Sequence, residues 1–446
     1  MNGAREKWTS KLGFILAAAG SAVGLGNIWR FSYVTGTNGG AAFVIIYLIA
    51  IALIGYPMMV TEVAIGRKSE KNPVGAFKAL APNTPWWLVG ALGVFSGFVI
   101  LSFYSVVAGW SVAYIFKAIA GFTPGTDFAD VFVGHITGTA VPIAWHAVFM
   151  LITLGIIAAG VVKGIQRWVK ILMPVLAILL IVLVFRALTL PGAGEGIAFY
   201  LAPRFEEVTA GTFLAAIGQA FFTLSLGMGA MITYGSYLSK DENVADNGGW
   251  VVGLDTAIAL IAGLAIFPAV FALGYDPAAG PGLVFITLPA VFAEMPAGSL
   301  FGFIFFVLLS VAALTSAISL LEVVVAWLVD EKQWPRRKAS IIIGIIIFII
   351  GIPTSLGMGP WSHITIIGME ILDFYDFVAS ELALPIGGAL TAIFAGHVWK
   401  ARTVIDETNN PPGVIKIGNW YGVLVKYVIP LAVFVVLITT LIDFFG

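Results

Sequence analysis

Two glycine-rich segments lie in the middle of long apolar stretches of the chain. Residues 20–27 contain three glycines and end in an asparagine, and residues 223–229 begin with a threonine and contain two glycines. Hydrocarbon offers no hydrogen bonds, so an unwound backbone is tolerated at mid-membrane depth only where it is buried in protein or lines a polar cavity. A helix that unwinds there can present its amides and carbonyls to a ligand.

The chemistry that such a break favours is the binding of small charged groups. The N-terminal end of a broken helix exposes N–H groups that suit a carboxylate, and the C-terminal end exposes carbonyls that suit a cation. One break can therefore hold both charges of a zwitterion together with a coupling ion, which favours amino acids over sugars. The alternative is that the glycines mark close packing of helices that stay continuous.

The two segments lie five predicted helices apart. An odd number of spans gives two five-helix units opposite orientations in the membrane, and paired glycine-broken helices at matching positions indicate a transporter binding site. We predict a first repeat over residues 1–190 with an N-terminal gate segment over 1–10, an inverted second repeat over 191–397, and a cytoplasmic loop with a last helix over 398–446.

The elements that carry these breaks must be membrane helices. Of the 446 residues, 60% are hydrophobic and 11% are charged, whereas an average soluble domain has about 25% charged residues. Apolar runs of roughly the 20 residues that cross a bilayer as a helix recur along the chain. We predict an all-α polytopic membrane protein with eleven transmembrane helices, at residues 11–36, 41–66, 86–120, 141–162, 168–188, 212–238, 248–274, 298–329, 339–353, 369–397 and 420–445.

The basic residues indicate the orientation. With a cytoplasmic N-terminus, 19 of the 23 Lys and Arg residues lie on the cytoplasmic side, while Lys117, Arg186 and Arg204 lie outside and Arg30 lies within the membrane. The positive-inside rule therefore predicts a multi-pass protein of the cell membrane with a cytoplasmic N-terminus and an extracellular C-terminus.

Several motifs resemble the neurotransmitter:sodium symporter family over nearly the whole chain. They are Arg-Glu-Lys-Trp at residues 5–8, the run from Gly-Leu-Gly-Asn to Arg-Phe at 24–31, Asn-Gly-Gly at 38–40, helix 6 at 219–237 and Leu-Thr-Ser at 314–316. The resemblance implies a LeuT-like fold with discontinuous helices 1 and 6. It also implies symport of aliphatic and aromatic L-amino acids by alternating access, two Na⁺ ions and no organic cofactor.

The family pattern also implies the ligands of the two ions. The first sodium would lie among the carbonyl of Ala22, the side chains of Asn27, Thr223 and Asp255, and the substrate carboxylate. The second would lie among the carbonyls of Gly20, Val23 and Ala312 and the hydroxyls of Thr315 and Ser316. Such all-oxygen shells suit a hard cation, although Thr and Ser in membrane helices also bond their own backbone.

The substrate carboxylate would, by the same resemblance, meet two backbone amides and the hydroxyl of Tyr104. The implied substrate-binding residues are Ala22, Gly24, Leu25, Gly26, Ile100, Tyr104, Phe222, Thr223, Ser225, Met228, Ser316 and Leu320. Apolar walls select a hydrophobic side chain, because a charged one would lose its water without compensation. A buried tyrosine that bonds only to backbone is the alternative for Tyr104.

Asp255 departs from the pattern of chloride-dependent family members. Those members have an uncharged residue at this position and a serine one turn later, where chloride binds, whereas this chain has Ala259 at the later position. The carboxylate of Asp255 can replace the anion, so we expect chloride-independent transport.

The resemblance further implies two gates. Arg30 would pair with Asp376 at the outer gate, with Asp373 as the rival partner. At the inner gate, Arg5 would pair with Asp330 beside Trp8, Ser236 and Tyr237. The alternative for each charge is an interfacial side chain that reaches to water. For the intramembrane Glu322 we predict only a buried hydrogen-bond acceptor.

Other functional classes fit the sequence less well. No His-rich set, nucleophile elbow or P-loop appears, which argues against an enzyme, and the sparse intramembrane charges suit an occluded site better than a pore. A related inverted-repeat sodium symporter for a purine or a betaine remains an alternative. The expected partners are a hydrophobic amino acid and the lipid bilayer, with no nucleic acid, and the oligomeric state stays open.

Overall fold

The structure, a computed structural model, describes residues 7–278 and 282–445. In this part of the chain nearly all residues outside short turns are helical. The helices are α1 (Lys11–Ala22), α2 (Gly26–Thr37), α3 (Ala41–Ser69), α4 (Pro73–Leu80), α5 (Trp87–Ala120), α6 (Phe128–Ile136), α7 (Ala140–Ala158), α8 (Val161–Leu188), α9 (Ala193–Leu201), α10 (Ala210–Thr223), α11 (Ala230–Gly235), α12 (Val244–Ala272), α13 (Leu283–Glu294), α14 (Gly298–Lys332), α15 (Arg336–Gly357), α16 (Ile371–Val398), α17 (Ala401–Thr408) and α18 (Trp420–Thr439).

The predicted all-α membrane fold is confirmed, but the count of eleven spans is not. Among the described residues, nine helices are long and apolar enough to cross a membrane, or ten if the bent pair α1 and α2 forms one span. The predicted span at 212–238 is divided into α10 and α11 by six residues. Each piece is shorter than the roughly 17 residues that a spanning helix needs.

Local sequence explains where several helices begin. Pro73 opens α4, where its missing N–H costs nothing, and the side chain of Asn72 accepts a hydrogen bond from Gly75 N at 3.1 Å. The side chain of Asn243 likewise accepts from Asp246 N at 2.8 Å and caps α12. These caps satisfy backbone donors that the first helical turn leaves unpaired.

The broken segments lie at the centre of the helix bundle. The longest helices, α5 and α14, pack along each other, and a Cβ added at Gly97 of α5 would lie 3.6 Å from the carbonyl of Leu320 of α14. α1 packs against α12 and α14, and α11 packs against α3. The outer helices expose apolar side chains instead, for example Phe185, which is 68% exposed. Such a surface is suited to hydrocarbon.

The connections contain elements that the sequence analysis did not resolve. The connection at 275–297 carries α13, and the connection at 121–140 carries α6. A two-residue hairpin pairs β1 (Thr365–Ile366) with β2 (Met369–Glu370) before α16.

The bundle has two ends, which we name by a residue at each. Lys7 forms an ion pair with Glu70 at 3.3 Å, so the segment before α1 meets the end of α3. The Trp8 end comprises this contact and the helix termini near residues 70, 160, 240 and 330. The Arg30 end is the opposite one and contains α6, α9 and α13.

Candidate functional site

The first predicted break lies between α1 and α2. Val23 is extended, with φ −71° and ψ 104°, and the two helix axes differ by 52°. A Cβ added at Gly24 would lie 2.2 Å from the Ser316 hydroxyl oxygen. Only glycine therefore lets the unwound backbone approach α14 this closely.

The second predicted break lies between α10 and α11. Ser225, Gly227 and Gly229 have φ values of 53°, 80° and 75°, in the left-handed region that favours glycine. The amide of Gly227 donates to the Glu62 carboxylate at 2.7 Å. Sequence analysis missed Glu62, although an acid in the apolar stretch of α3 is a signal that could have identified it.

One cavity lies between the two breaks, α5 and α14. Its lining residues are Ser21, Ala22, Gly26, Ile100, Tyr104, Phe222, Ser225, Met228, Ser316 and Leu320. All of them except Ser21 belong to the predicted substrate-binding set. Ser21 was missed, and its buried hydroxyl has no hydrogen-bond partner among the described residues. None of these lining side chains carries a charge.

Three other predicted substrate residues surround the cavity instead of lining it. Leu25 is buried, and its amide donates to the Tyr104 hydroxyl at 3.2 Å. Because that oxygen accepts the Leu25 N–H, its own proton can be donated to another acceptor. Gly24 lies next to the same hydroxyl, and Thr223 points toward Asp255.

Three of the predicted ligands of the first sodium, all of them side chains, meet in the interior of the protein. The amide of Asn27 donates to the Asp255 carboxylate at 2.7 Å, and the hydroxyl of Thr223 is 3.2 Å from each carboxylate oxygen. All three side chains are fully buried. The side-chain oxygen Oδ1 of Asn27 accepts a hydrogen bond from Gly24 N at 2.9 Å, so the backbone of the break orients this side chain. One acid with neutral oxygens suits a monovalent hard cation.

The predicted ligands of the second sodium also lie together, where α1 meets α14. The Thr315 hydroxyl is 3.1 Å from the Val23 carbonyl and 2.9 Å from the Ala312 carbonyl. The Ser316 hydroxyl donates to the Ser21 carbonyl at 3.0 Å. Gly20 faces the same place, since a Cβ there would lie 3.4 Å from Thr315 Cβ. The Thr-Ser pair bonds carbonyls of both helices, which is more than the local backbone bonding that was the alternative.

At the Arg30 end, the predicted gate residues line one cavity without forming an ion pair. Arg30 and Asp376 both border this cavity, which also reaches Tyr104 and Phe222, but the described residues contain no Arg30–Asp376 ion pair within 4.0 Å. Arg30 donates to Gln219 at 3.0 Å, and its guanidinium lies 4.8 Å from the Phe222 ring centroid.

At the Trp8 end, the predicted gate residues are packed tightly. Trp8 is buried, its indole donates to the Tyr234 carbonyl at 3.0 Å, and its amide donates to the Tyr237 carbonyl at 3.0 Å. Its ring meets both tyrosine rings edge to face, with centroids 5.4 and 5.9 Å apart. Ser236, which lies between Tyr234 and Tyr237 in the sequence, is fully buried. Arg5 lies outside the described residues.

Glu322 has a larger role at this end than the sequence analysis gave it. It accepts from the Tyr237 hydroxyl at 2.6 Å and from Arg336 Nη1 at 3.1 Å, and Arg336 Nη2 pairs with its second oxygen. Arg336 also donates to the Ile157 carbonyl at 3.1 Å. A fully buried carboxylate thus joins the segment just after α11 to the beginning of α15. Arg336 entered the sequence analysis only as one of the basic residues that set the orientation.

Asp330, the predicted partner of Arg5, has partners in the turn before α4. Its carboxylate accepts from the Asn72 amide at 2.9 Å and from the Asn72 side chain at 3.2 Å. It therefore anchors the α3–α4 turn to the end of α14.

Comparison with known proteins gives matches over nearly the whole chain. The model of the "Sodium:neurotransmitter symporter family" matches residues 5–135 and 135–445. An uncharacterised sodium-dependent transporter, YhdH of Bacillus subtilis, is 42% identical over 96% of both chains. An uncharacterised sodium-dependent transporter of Haemophilus influenzae is 40% identical over 99% of both chains. The crystal structure of MhsT in complex with L-phenylalanine superposes with a TM-score of 0.91, is 50% identical, and is matched over 98% of this chain and 100% of that one.

Proposed function

Because this chain belongs to the sodium:neurotransmitter symporter family, we propose that it imports hydrophobic L-amino acids together with sodium by alternating access. Family membership makes it a multi-pass membrane transporter and not an enzyme, as the sequence predicted, and its relatives are sodium-dependent transporters. The substrate class, the two ion sites and the independence from chloride are the proposal.

The cavity between the two helix breaks is the observation that carries the proposal. Ile100, Phe222, Met228 and Leu320 supply an apolar wall, and no charged side chain lines it. A charged substrate side chain would lose its hydration there without a partner. Met228 is unbranched and can adjust to an aliphatic or an indole side chain. The phenylalanine bound to MhsT supports the same substrate class.

The polar groups of the cavity suit the backbone of an amino acid. The hydroxyl of Tyr104 is held by Leu25 N–H, which leaves its proton for a carboxylate. The Ser21 hydroxyl, which has no partner among the described residues, and the neighbouring Ser225, which donates to the Ser21 carbonyl at 3.0 Å, add polar atoms to the lining. We propose that the substrate carboxylate lies at Tyr104 beside the amides of Leu25 and Gly26.

The two oxygen clusters are the proposed sodium sites. The cluster of Asn27, Thr223 and Asp255 would share its ion with the substrate carboxylate, which makes substrate binding dependent on sodium. The cluster of Thr315 and Ser316 with the Gly20, Val23 and Ala312 carbonyls would hold the second ion. Asp255 supplies the negative charge that a chloride ion would otherwise provide, because Ala259, one turn later, offers no ligand.

The proposed direction of transport follows from the basic residues. The Trp8 end carries most of the Lys and Arg residues, which favours the cytoplasmic side of the membrane. Substrate would then enter past Arg30 and Asp376 and leave past Trp8.

A binding screen tests the proposal. Purified protein is titrated with Leu, Phe and Trp, with their amides, with Lys and Glu, and with a purine and a betaine. Each titration is made in sodium chloride, sodium gluconate and potassium chloride, with thermal unfolding as the readout. We expect the three hydrophobic amino acids to stabilise the protein in both sodium salts and not in potassium, and the amides to bind at least about tenfold more weakly, since they lack the carboxylate.

Two matched variants of α12 serve as controls. Asp255→Asn should weaken binding or make it depend on an anion, because the sodium charge is left uncompensated. Asp246 lies on the same helix, and its carboxylate accepts hydrogen bonds from Val414 N and Ile415 N. Asp246→Asn should leave the ion dependence unchanged. Equal binding in potassium, equal binding of amides, or preference for the purine or betaine would reject the proposal.

A further inference from the structure

An apolar groove opens at the Trp8 end of the bundle, away from the substrate cavity. It has a volume of about 580 Å³ and is formed by α4, α5, α14 and α15. Its lining residues are Val74, Lys78, Trp87, Ala91, Val94, Phe95, Phe98, Val324, Trp327, Glu331, Lys332 and Ile343. Trp87 and Phe95 are 40% and 46% exposed, so the groove is open to the surroundings of the protein.

The charges lie at one end of this groove. Lys78 pairs with Glu331 at 2.7 Å and lies 6.0 Å from the centroid of the Trp87 ring. Lys332, in the last turn of α14, is exposed and has no carboxylate partner among the described residues. The groove therefore has a net positive mouth beside a tryptophan, while its inner part is apolar. Tryptophan and lysine at the end of an apolar helix surface are typical of the membrane interface.

We propose that this groove binds one anionic phospholipid. An acyl chain would occupy the apolar part between Phe95, Phe98 and Ile343, and the headgroup phosphate would lie between Lys78 and Lys332. A lipid is favoured over a soluble ligand because the groove opens on the apolar outer surface of membrane helices. An anionic headgroup is favoured over a zwitterionic one because Lys332 is uncompensated.

The position of the groove connects it to the transport machinery. Val324 lines the groove one turn after Leu320, which lines the substrate cavity, so the same stretch of α14 separates the two. At the mouth, Asn72 lies 3.4 Å from Glu331 and bonds Asp330 of the predicted inner gate. A bound lipid would therefore contact the helix surface that encloses the substrate.

Native mass spectrometry tests the proposal. The full-length protein is delipidated in detergent and mixed with equal amounts of phosphatidylglycerol and phosphatidylcholine that carry the same acyl chains. We expect one phosphatidylglycerol to be retained per chain in preference to phosphatidylcholine. A double variant, Lys78→Gln with Lys332→Gln, should retain less phosphatidylglycerol. Each lysine should account for about a fivefold loss, because a lysine near an anionic headgroup contributes about 1 kcal/mol to binding. Ala91→Phe should fill the groove and reduce retention with both lysines present.

The control removes two lysines from the same end but outside the groove, by Lys71→Gln and Lys163→Gln, and should retain the lipid as the unmodified protein does. All variants are first checked for an unchanged melting temperature in lipid-free detergent. Equal retention of both phospholipids would overturn the proposal. Retention at the level of the unmodified protein in both the lysine variant and Ala91→Phe would also overturn it. A second copy of the chain would be the occupant instead if the protein formed a dimer in which Lys78 and Lys332 are protected from chemical acetylation.

Discussion

The two ends of the bundle are closed by different kinds of contact. At the Trp8 end, backbone, aromatic and ionic contacts act together, from Trp8 through Tyr237 to Glu322 and Arg336. At the Arg30 end, one arginine bonds a neutral glutamine and covers the Phe222 ring, and the acid Asp376 shares its cavity without pairing. The structure is thus held shut more firmly at the Trp8 end.

This difference indicates what each end responds to. The Trp8 end is closed by bonds that need no ligand, so it should stay closed until those bonds are broken. The Arg30 end has an unused ionic contact close to the cavity, so we expect its closure to depend on a bound substrate. The following variants test that contrast through thiol labelling and amide hydrogen exchange at the Trp8 end and through substrate release at the Arg30 end.

The largest effect is expected from Glu322→Gln. This change removes the charge of a fully buried carboxylate that pairs with Arg336 and accepts from the Tyr237 hydroxyl, at a cost of about 3 kcal/mol. The chain contains no cysteine, so Ser236→Cys, at a fully buried residue, provides a single reporter thiol. The labelling rate of that thiol should rise by about a hundredfold.

Asp406→Asn is the control for this variant. It removes the acid of an ion pair with Arg402 in which both side chains are mostly exposed, and such pairs contribute about 0–1 kcal/mol. Labelling that is equally slow in Glu322→Gln and in Asp406→Asn would show that the carboxylate does not hold this end closed.

A smaller effect is expected at the other end from Arg30→Gln. The variant loses a charged hydrogen bond to Gln219 and the contact with Phe222, about 1.5 kcal/mol in all, so bound amino acid should dissociate about tenfold faster. Asp376→Asn should also speed release, because the proposed closed state pairs the two residues. Neither change should alter labelling at Ser236→Cys.

Arg204→Gln supplies the matched control at the Arg30 end, since it removes an exposed arginine that pairs with Glu207. Its release rate should equal that of the unmodified protein. If Arg30→Gln releases substrate at this same rate, the Arg30 end is not a gate, and the contrast between the ends is lost.

Trp8→Phe should have a smaller effect at the Trp8 end than Glu322→Gln. Phenylalanine keeps an aromatic ring against Tyr234 and Tyr237 but loses the hydrogen bond to the Tyr234 carbonyl, worth about 1 kcal/mol. Labelling of the Ser236→Cys thiol should rise by about fivefold. Trp250→Phe, at a residue that is 60% exposed, is the control and should change nothing. A rise in both variants would assign the effect to general destabilisation.

The helix breaks could be predicted from the sequence because glycines mark both of them. Gly24 and Gly227 are required where they stand by close approach to a neighbouring helix and, for Gly227, by a positive φ. The same breaks explain why the count of eleven spans is not confirmed, since the apolar run at 212–238 forms two helices that are each too short to be counted as a span.

The contacts of the intramembrane charges could not be predicted in the same way. Glu322 is joined to Tyr237, 85 residues away, and to Arg336 across a helix end, so no spacing pattern reports either contact. For Arg30, the family resemblance implied Asp376 as the partner, whereas in the structure Arg30 donates to the neutral side chain of Gln219. Family resemblance supplied the positions of the oxygen clusters, and composition alone would not have identified them.

The smallest effect is expected where the Trp8 segment meets α8. Gln166 accepts from the Thr9 amide at 3.1 Å and donates to the Thr9 hydroxyl, which ties the N-terminal segment to the first turns of α8. The helix should open more easily in these turns than elsewhere, for two reasons. The turns follow Gly160, with a φ of 98°, and Pro174 supplies no N–H to the carbonyl four residues earlier.

Local opening of α8 would admit water toward Thr315, because Gly20 lies between Thr315 and the α8 residues Val169 and Met173. We therefore expect amides 165–173 to exchange faster in potassium than in sodium with substrate. Gln166→Leu should raise their exchange by about twofold to threefold, since a partly exposed hydrogen bond contributes about 0.5 kcal/mol. Thr9→Val removes only the hydroxyl and should give a smaller rise. Equal exchange in all variants and in both salts would show that α8 does not open during transport. Opening at this end would then depend on the Trp8 and Glu322 contacts alone.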